Sequence, residues 1–365
     1  MEWPNCLNCI LIFTATVVFY CEFLMYYVTL VQCQWPKLSS TQESSFVPVK
    51  SVIIADTHLL GPINGHWFDK LIREWHMHRA FQTTMTIFHP DVVFILGDVF
   101  DEGQAVNDEQ FNKYVQRFRR LFYAPKNTQV ISVVGNHDVG FHYRMDPYFL
   151  NRFEKEFNYT GVHLHTIKNV HFVFVNSMAM ENDRCAICTR AQKDLNGLGK
   201  KLMCMKDPDF HKCPRPQSLY SRPILMQHFP TYRRSDEICS KGDAPEIERY
   251  KEKWDVLSKE STITLGNTIN PRLAFSGHSH HYCKLKNLLG IDEYTVASYS
   301  WRNKLNPSFL LAKFTPQSHS VMKCDMPTQT TYVSIYIYAS SICLVYIVLN
   351  LLRNGIKKYS EKKVD

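Results

Sequence analysis

Short apolar runs rich in β-branched residues recur along the chain, and each stops at a polar cluster. This rhythm limits the fold more than any other feature. The runs are 49–54, 91–96, 129–134, 170–175, 223–226 and 272–275, and their length and composition predict buried strands. Between them the spacing predicts helices. One is long and amphipathic over 66–89; a second, over 108–123, puts Phe111, Val115, Phe118 and Phe122 on one face; a third begins at Asp146-Pro147, an N-cap acid followed by proline. Such alternation gives an α/β sheet, whose ligands gather beyond the carboxyl ends of the strands. Two stretches break the rhythm, about 178–221 with its cysteines and about 233–265 with its charges, and both read as insertions that shape a rim.

The ends of the chain have a different character. Residues 10–31 and 332–352 are apolar and, at about 1.5 Å per residue, long enough to cross a hydrocarbon core of about 30 Å. The 365-residue chain carries a formal charge of +8, unevenly placed. Residues 1–36 hold no Lys or Arg, whereas the last thirteen hold Arg353, Lys357, Lys358, Lys362 and Lys363. The positive-inside rule therefore predicts a cytosolic tail at 353–365, a lumenal domain at 32–331 and a short cytosolic N-terminus at 1–9. A cleaved signal peptide in place of the first span would leave the same sidedness. Glu22 lies inside the first span at a cost of about 3 kcal/mol; it reads as a protonated or snorkelling carboxyl, with a partner or lipid contact as the alternative. No basic run interleaved with aromatics supports a nucleic-acid surface.

Eight of the twelve cysteines (Cys33, Cys185, Cys188, Cys204, Cys213, Cys239, Cys283 and Cys324) lie between the spans, an even number suited to pairing in an oxidising compartment. Cys185, Cys188, Cys204 and Cys213 also admit a four-thiolate zinc site, and the first pair a redox motif. One glycosylation sequon is present, Asn158-Tyr159-Thr160.

Five polar clusters follow predicted strands: Asp56-Thr57-His58, Gly97-Asp98-Val99-Phe100-Asp101, Gly135-Asn136-His137-Asp138, Gln227-His228 and Gly277-His278-Ser279-His280. Asp-x-His arises by chance in about 40% of chains this long, but Gly-Asn-His-Asp in roughly 0.1%. Carboxylate, imidazole and amide oxygen are donors for borderline-to-hard divalent ions. One Asp shared between ions could hold two metals about 3.5–4 Å apart, a geometry that clamps a phosphoryl group.

In this order the clusters resemble the signature of the calcineurin-like metallophosphoesterase superfamily over about residues 50–315. The resemblance implies a four-layer α/β/β/α sandwich, here flanked by two transmembrane helices, with phosphodiesterase chemistry at two divalent metals. It assigns Asp56, His58, Asp98 and His280 to one metal, and Asp98, Asn136, His228 and His278 to the other. It makes His137 the group that meets the leaving oxygen and Asp101 its orienting carboxylate. Glu102 and Asp138 stand where the protein Ser/Thr phosphatase branch has Arg and Glu, which argues against that class. A lumenal domain of this family between two spans, ending in Lys362-Lys363-Val364-Asp365, resembles the branch that removes a side-chain ethanolamine phosphate from the second mannose of GPI anchors. That implies manganese, GPI-anchored proteins as the carriers of the substrate, and a place in the early secretory pathway (ER exit sites, ER–Golgi intermediate compartment, Golgi). It also implies a dilysine-like tail, Lys362 and Lys363, read by the ER–Golgi transport machinery.

Taken singly, His228 is the weakest ligand assignment, and His281 is an alternative to His280. His76, His78, His163, His165 and His171 read as structural. Tyr299, Trp301 and Asn303 either pack or line the substrate rim. Competing functions are a lumenal phosphomonoesterase or pyrophosphatase, and a non-catalytic GPI cargo receptor; retention of every proposed ligand argues against the last.

Overall fold

The computed structural model describes residues 3–38, 46–158, 161–183, 185–207, 213 and 219–361. The chain enters as α1 (Trp3–Phe19), widens into a π-helical turn (Tyr20–Leu24) and continues as α2 (Met25–Leu30). Then come β1 (Val49–Ile54), α3 (Trp67–Phe88), β2 (Val92–Leu96), α4 (Asp108–Leu121) and β3 (Gln129–Val133). A short α5 (Asn136–Val139) and α6 (Pro147–Phe157) lead into β4 (Val162–Ile167) and β5 (Val170–Val175). Next are α7 (Ala186–Lys206), β6 (Ile224–Gln227), β7 (Lys241–Gly242), α8 (Lys259–Ile269), β8 (Leu273–Ser276), β9 (Cys283–Lys286) and β10 (Asp292–Thr295). The chain closes with β11 (Ser308–Phe314), β12 (His319–Asp325) and α9 (Gln329–Glu361).

The strands form a five-stranded sheet, β12-β11-β1-β2-β3, and a seven-stranded sheet, β4-β5-β6-β8-β10-β9-β7. In each sheet the central strands are parallel, β1 with β2 and β3, and β5 with β6, β8 and β10, so their carboxyl ends share one edge. Aromatic side chains join the inner faces: Phe94 meets Phe172 at 4.8 Å between ring centres, and Phe314 meets Phe172 and Phe275 at 5.4 and 5.8 Å. Outside the first sheet, Phe81 and Phe88 of α3 pack on Phe122 and on Phe309 of β11. Outside the second, Leu195, Leu198 and Leu202 of α7 are buried. The layers are therefore helix, sheet, sheet, helix. Local chemistry sets the helix starts: Asn107 accepts from the Gln110 amide at 3.0 Å, and Asp146, before Pro147, accepts from the Tyr148 amide at 2.8 Å.

Two readings change. The stretch 178–221 is not merely a rim, because α7 lies within it; Ile187, Ala191, Leu195, Leu198 and Leu202 repeat at helical spacing, a pattern interrupted by lysines and cysteines. Glu22 is not a tolerated stray carboxyl. It lies in the π-helical turn and accepts from the Trp75 indole at 2.6 Å and from the Tyr332 and Tyr336 hydroxyls at 2.7 and 2.6 Å.

The central cysteines form four disulfides, Cys33–Cys324, Cys185–Cys188, Cys204–Cys213 and Cys239–Cys283, which leaves no four-thiolate set for zinc. Two helices, Cys6–Leu30 and Gln329–Ile356, are long and apolar enough to cross a membrane. One side of the last turns of the first is buried, with Tyr26 and Leu30 in the core of the central domain, and the Cys33–Cys324 bond fastens the segment that follows to β12. Asn158 ends α6, whereas Tyr159, Thr160, Lys362 and Lys363 lie outside the described residues.

Candidate metal centre

All five clusters lie just past the carboxyl ends of parallel strands, after β1, β2, β3, β6 and β8, and they converge where the two sheets meet. The backbone turns sharply to aim them. Asp56, His58, Asp98, His278 and His280 have φ of 53, 42, 47, 71 and 62°, left-handed values that non-glycine residues adopt at a cost. Glycine is required beside them. A Cβ on Gly97, whose φ is +86°, would lie 2.4 Å from His228 Nδ1, and one on Gly135 would lie 2.2 Å from Asp98 Oδ1.

Asp98 is central. Its Oδ2 lies 3.5 Å from His58 Nε2 and 3.4 Å from His228 Nε2. Around it, donor atoms of Asp56, His58, Asp98 and His280 lie within 4.8 Å of one another, as do those of Asp98, His228 and His278. Asn136 Oδ1 is 3.0 Å from His228 Nε2 and joins the second group.

The imidazoles are prepared as ligands. His228 Nδ1 donates to the Leu96 carbonyl at 2.7 Å, His278 Nε2 to the Trp254 carbonyl at 3.1 Å, and His58 Nδ1 to Asp101 Oδ1 at 3.1 Å. Each ring thereby turns its other nitrogen inward, as metal-binding histidines do. His58 Nε2 and His280 Nε2 face each other at 3.2 Å. The charges point the same way: burial pushes Asp56 up to about 8, while Asp98 and Asp56 overcome the effect of burial on His228 and raise it to about 9. Without a cation, a proton held by His228 neutralises buried carboxylates; a divalent ion fits the same need.

The structure corrects the reading of Asp101. Its carboxylate bonds His58 and, at 2.8 Å, Arg302 Nε; His137 Nδ1 instead donates to the backbone carbonyl of Asp101 at 2.9 Å and is 3.9 Å from the carboxylate. The physical reason is competition, because the Asp101 carboxylate is already engaged by His58, Arg302 and Asn64. His281 does not join the donor groups; its Nδ1 lies 3.2 Å from Lys304 Nζ, which bonds Asp243. His76, His78, His163, His165 and His171 lie elsewhere in helices and strands. Tyr299 and Trp301 pack, against Phe309 and His76 respectively, whereas Asn303 Nδ2 donates to His280 Nε2 at 3.2 Å.

Three residues have supporting roles that the sequence motifs did not assign. Asp138 accepts backbone N–H groups from Val99, Phe100 and Gly135 at 3.3, 2.9 and 2.9 Å, tying the loops after β2 and β3 together. Glu102 accepts from the Asn64 amide and the Tyr114 hydroxyl at 2.5 and 3.1 Å. Arg302 holds Asp101, and the available signal was its place between Trp301 and Asn303.

Residues 49–282 match the calcineurin-like phosphoesterase family, and the chain belongs to it. It is 51% identical over 346 residues to a Metallophosphoesterase 1 homolog of Drosophila melanogaster, covering 94% of this chain and 92% of that protein. To Metallophosphoesterase 1 of Mus musculus it is 43% identical over 345 residues, covering 92% and 87%. Among solved structures, purple acid phosphatase PPD1 from yellow lupin shares the fold with a TM-score of 0.50 at 12% identity, covering 76% of this chain and 52% of that one. The chain is thus a metal-dependent phosphoesterase, with Asp and His donors arranged for two divalent ions.

Proposed function

We propose that the protein is a phosphodiesterase that removes a side-chain ethanolamine phosphate from the second mannose of GPI anchors. The observation that carries the hydrolytic reading is the position of Asp98, one carboxylate between two donor groups. Asp56, His58, Asp98 and His280 would hold one ion; Asp98, Asn136, His228 and His278 would hold the other. Two divalent cations there supply charge neutralisation for a phosphoryl group and acidify water. Manganese suits the mixed nitrogen and oxygen donors.

The remaining chemistry belongs to His137. A carbonyl only accepts, so the bond to Asp101 fixes the proton on Nδ1 and leaves Nε2 outside that bond on a ring that is 40% exposed. Burial opposes a charge on this ring, but Asp98 and the Asp101 carbonyl overcome it and raise the pKa above the ordinary histidine value. With Nδ1 committed to that carbonyl, Nε2 is the atom that would give a proton to the departing sugar oxygen.

The GPI glycan is supported by the resemblance of the motifs together with the flanking apolar helices and the Lys362-Lys363 tail. On this reading the central domain is lumenal, both termini are cytosolic, and the tail recycles the protein through the early secretory pathway. The test is the purified full chain, loaded with Mn²⁺, on a GPI glycan bearing ethanolamine phosphate. Release of ethanolamine phosphate, abolished in Asp98→Asn together with metal binding, is the expected result. Hydrolysis of simple phosphomonoesters or pyrophosphates with the glycan untouched would overturn the substrate.

A further inference from the structure

The first two turns of α3 present an apolar face that no described residue covers. Trp67, Phe68 and Leu71 are 65, 52 and 59% exposed, Ile63 in the preceding loop is 63% exposed, and Trp75 37%. At about 100° per residue, Trp67, Leu71, Trp75 and Phe68 fall within one sector about 100° wide, with Asp69, Lys70, Arg73 and Glu74 outside it. Three of those charges have partners of their own: Arg73 pairs with Asp69 at 3.1 Å, and Glu74 with Arg117 at 3.2 Å.

The placement of this face says what it meets. Contacts between the N-terminal segment and α3 advance in the same order along both: Phe23 with Trp75, Tyr26 with His76, Trp35 with Phe88. The two therefore run the same way. The turns of α3 before Trp75 extend toward the side where the apolar residues before Phe23 lie. Trp75 also bonds Glu22, which holds Tyr332 and Tyr336 near the start of the other apolar helix. The exposed face is thus continuous with the place where both apolar helices leave the domain. Its loop also touches the metal centre, since Asn64 Nδ2 donates to Asp101 Oδ2 at 3.2 Å and Asp101 bonds His58.

We propose that Ile63, Trp67, Phe68 and Leu71 form a wedge seated in the headgroup region of a phospholipid bilayer. The metal centre then opens at headgroup level and takes phosphoesters carried on a membrane anchor. This rests on the reading of the two apolar helices as membrane spans. Trp and other amphipathic or apolar side chains favour that boundary, and holding the site there raises the effective concentration of an anchored substrate.

The experiment uses the full chain, Mn²⁺-loaded, in phosphatidylcholine vesicles. With a photoreactive benzoylphenylalanine in place of Phe68, irradiation should yield phospholipid adducts. Chain-to-chain adducts, or none, overturn the wedge. In parallel, W67E/L71E should lower hydrolysis of vesicle-borne hexadecyl p-nitrophenyl phosphate about tenfold and leave that of water-soluble methyl p-nitrophenyl phosphate within about twofold. An equal effect on both esters also overturns it. Alkaline carbonate separates the two levels: a chain retained in the vesicles without a lipid adduct refutes the wedge alone, and a chain released refutes the spans with it. The cross-link needs no turnover, so it decides the wedge even if the esters are poor substrates.

Discussion

His137 and Asp101 are separated by function through a single hydrogen bond. Because His137 hangs on the carbonyl of residue 101, its ring stays in place when the Asp101 side chain is changed. His137→Ala should keep its metals, by titration or elemental analysis, and lose about 10²–10⁴-fold in rate. Asp101→Asn should do the reverse of what an orienting carboxylate predicts. With His58 deprived of its charged acceptor, metal affinity should fall by about 10–100-fold while the alkaline limb of the pH–rate profile, which a proton-donating His137 sets, is retained. Loss of that limb with normal metal affinity would return Asp101 to the role that its sequence position implied. The identities of these residues were legible in the motif. Whether a side chain or a carbonyl makes the contact depends on the left-handed turns after β1 and β2, which non-glycine residues do not announce.

At the scale of elements, α3 is where the domain and the apolar helices meet. His76 sits there among Trp301, Tyr332 and Tyr26, with ring centres 3.9, 4.4 and 5.7 Å away and neither nitrogen hydrogen-bonded. Burial pushes it from 6.5 down to about 3. The unfolded chain binds a proton below 6.5 that the native state refuses until about 3, so His76's contribution is full above 6.5 and is lost as pH falls through that window. His163 and His319, pushed down to about 4 mainly by burial, act in the same direction. His76→Phe should therefore flatten, by about one proton, the fall of stability with acidification, measured by denaturant titration across that range. An unchanged slope would mean that the ring is already hydrated. The helix 66–89 was legible from its periodicity. The unpaired histidine on it was not, because its neighbours come from the two ends of the chain.

For the molecule as a whole, sidedness is the main prediction. Asn158, at the end of α6, should carry a glycan, and an epitope after Asp365 in intact microsomes should be digested by added protease. A protected epitope would invert the topology. Replacing Lys362 and Lys363 with Ala should move the protein forward along the secretory pathway if the tail is a retrieval signal.

Strand runs, motif order and apolar ends are local properties, set by side-chain volume, charge and periodicity over a few residues, so the chain's own sequence determined the strands that position the site and the donors at their ends. It did not reveal β11 or β12. The place of β11 beside β1 follows from pairing across more than 250 residues, with Val49 opposite Phe314 and Ile53 opposite Leu310, and β12 then pairs back on β11. Nor did it reveal that Glu22 would find three donors, two of them more than 300 residues away. Burying a carboxylate is costly until partners surround it, and only the folded chain brings Trp75, Tyr332 and Tyr336 to one point.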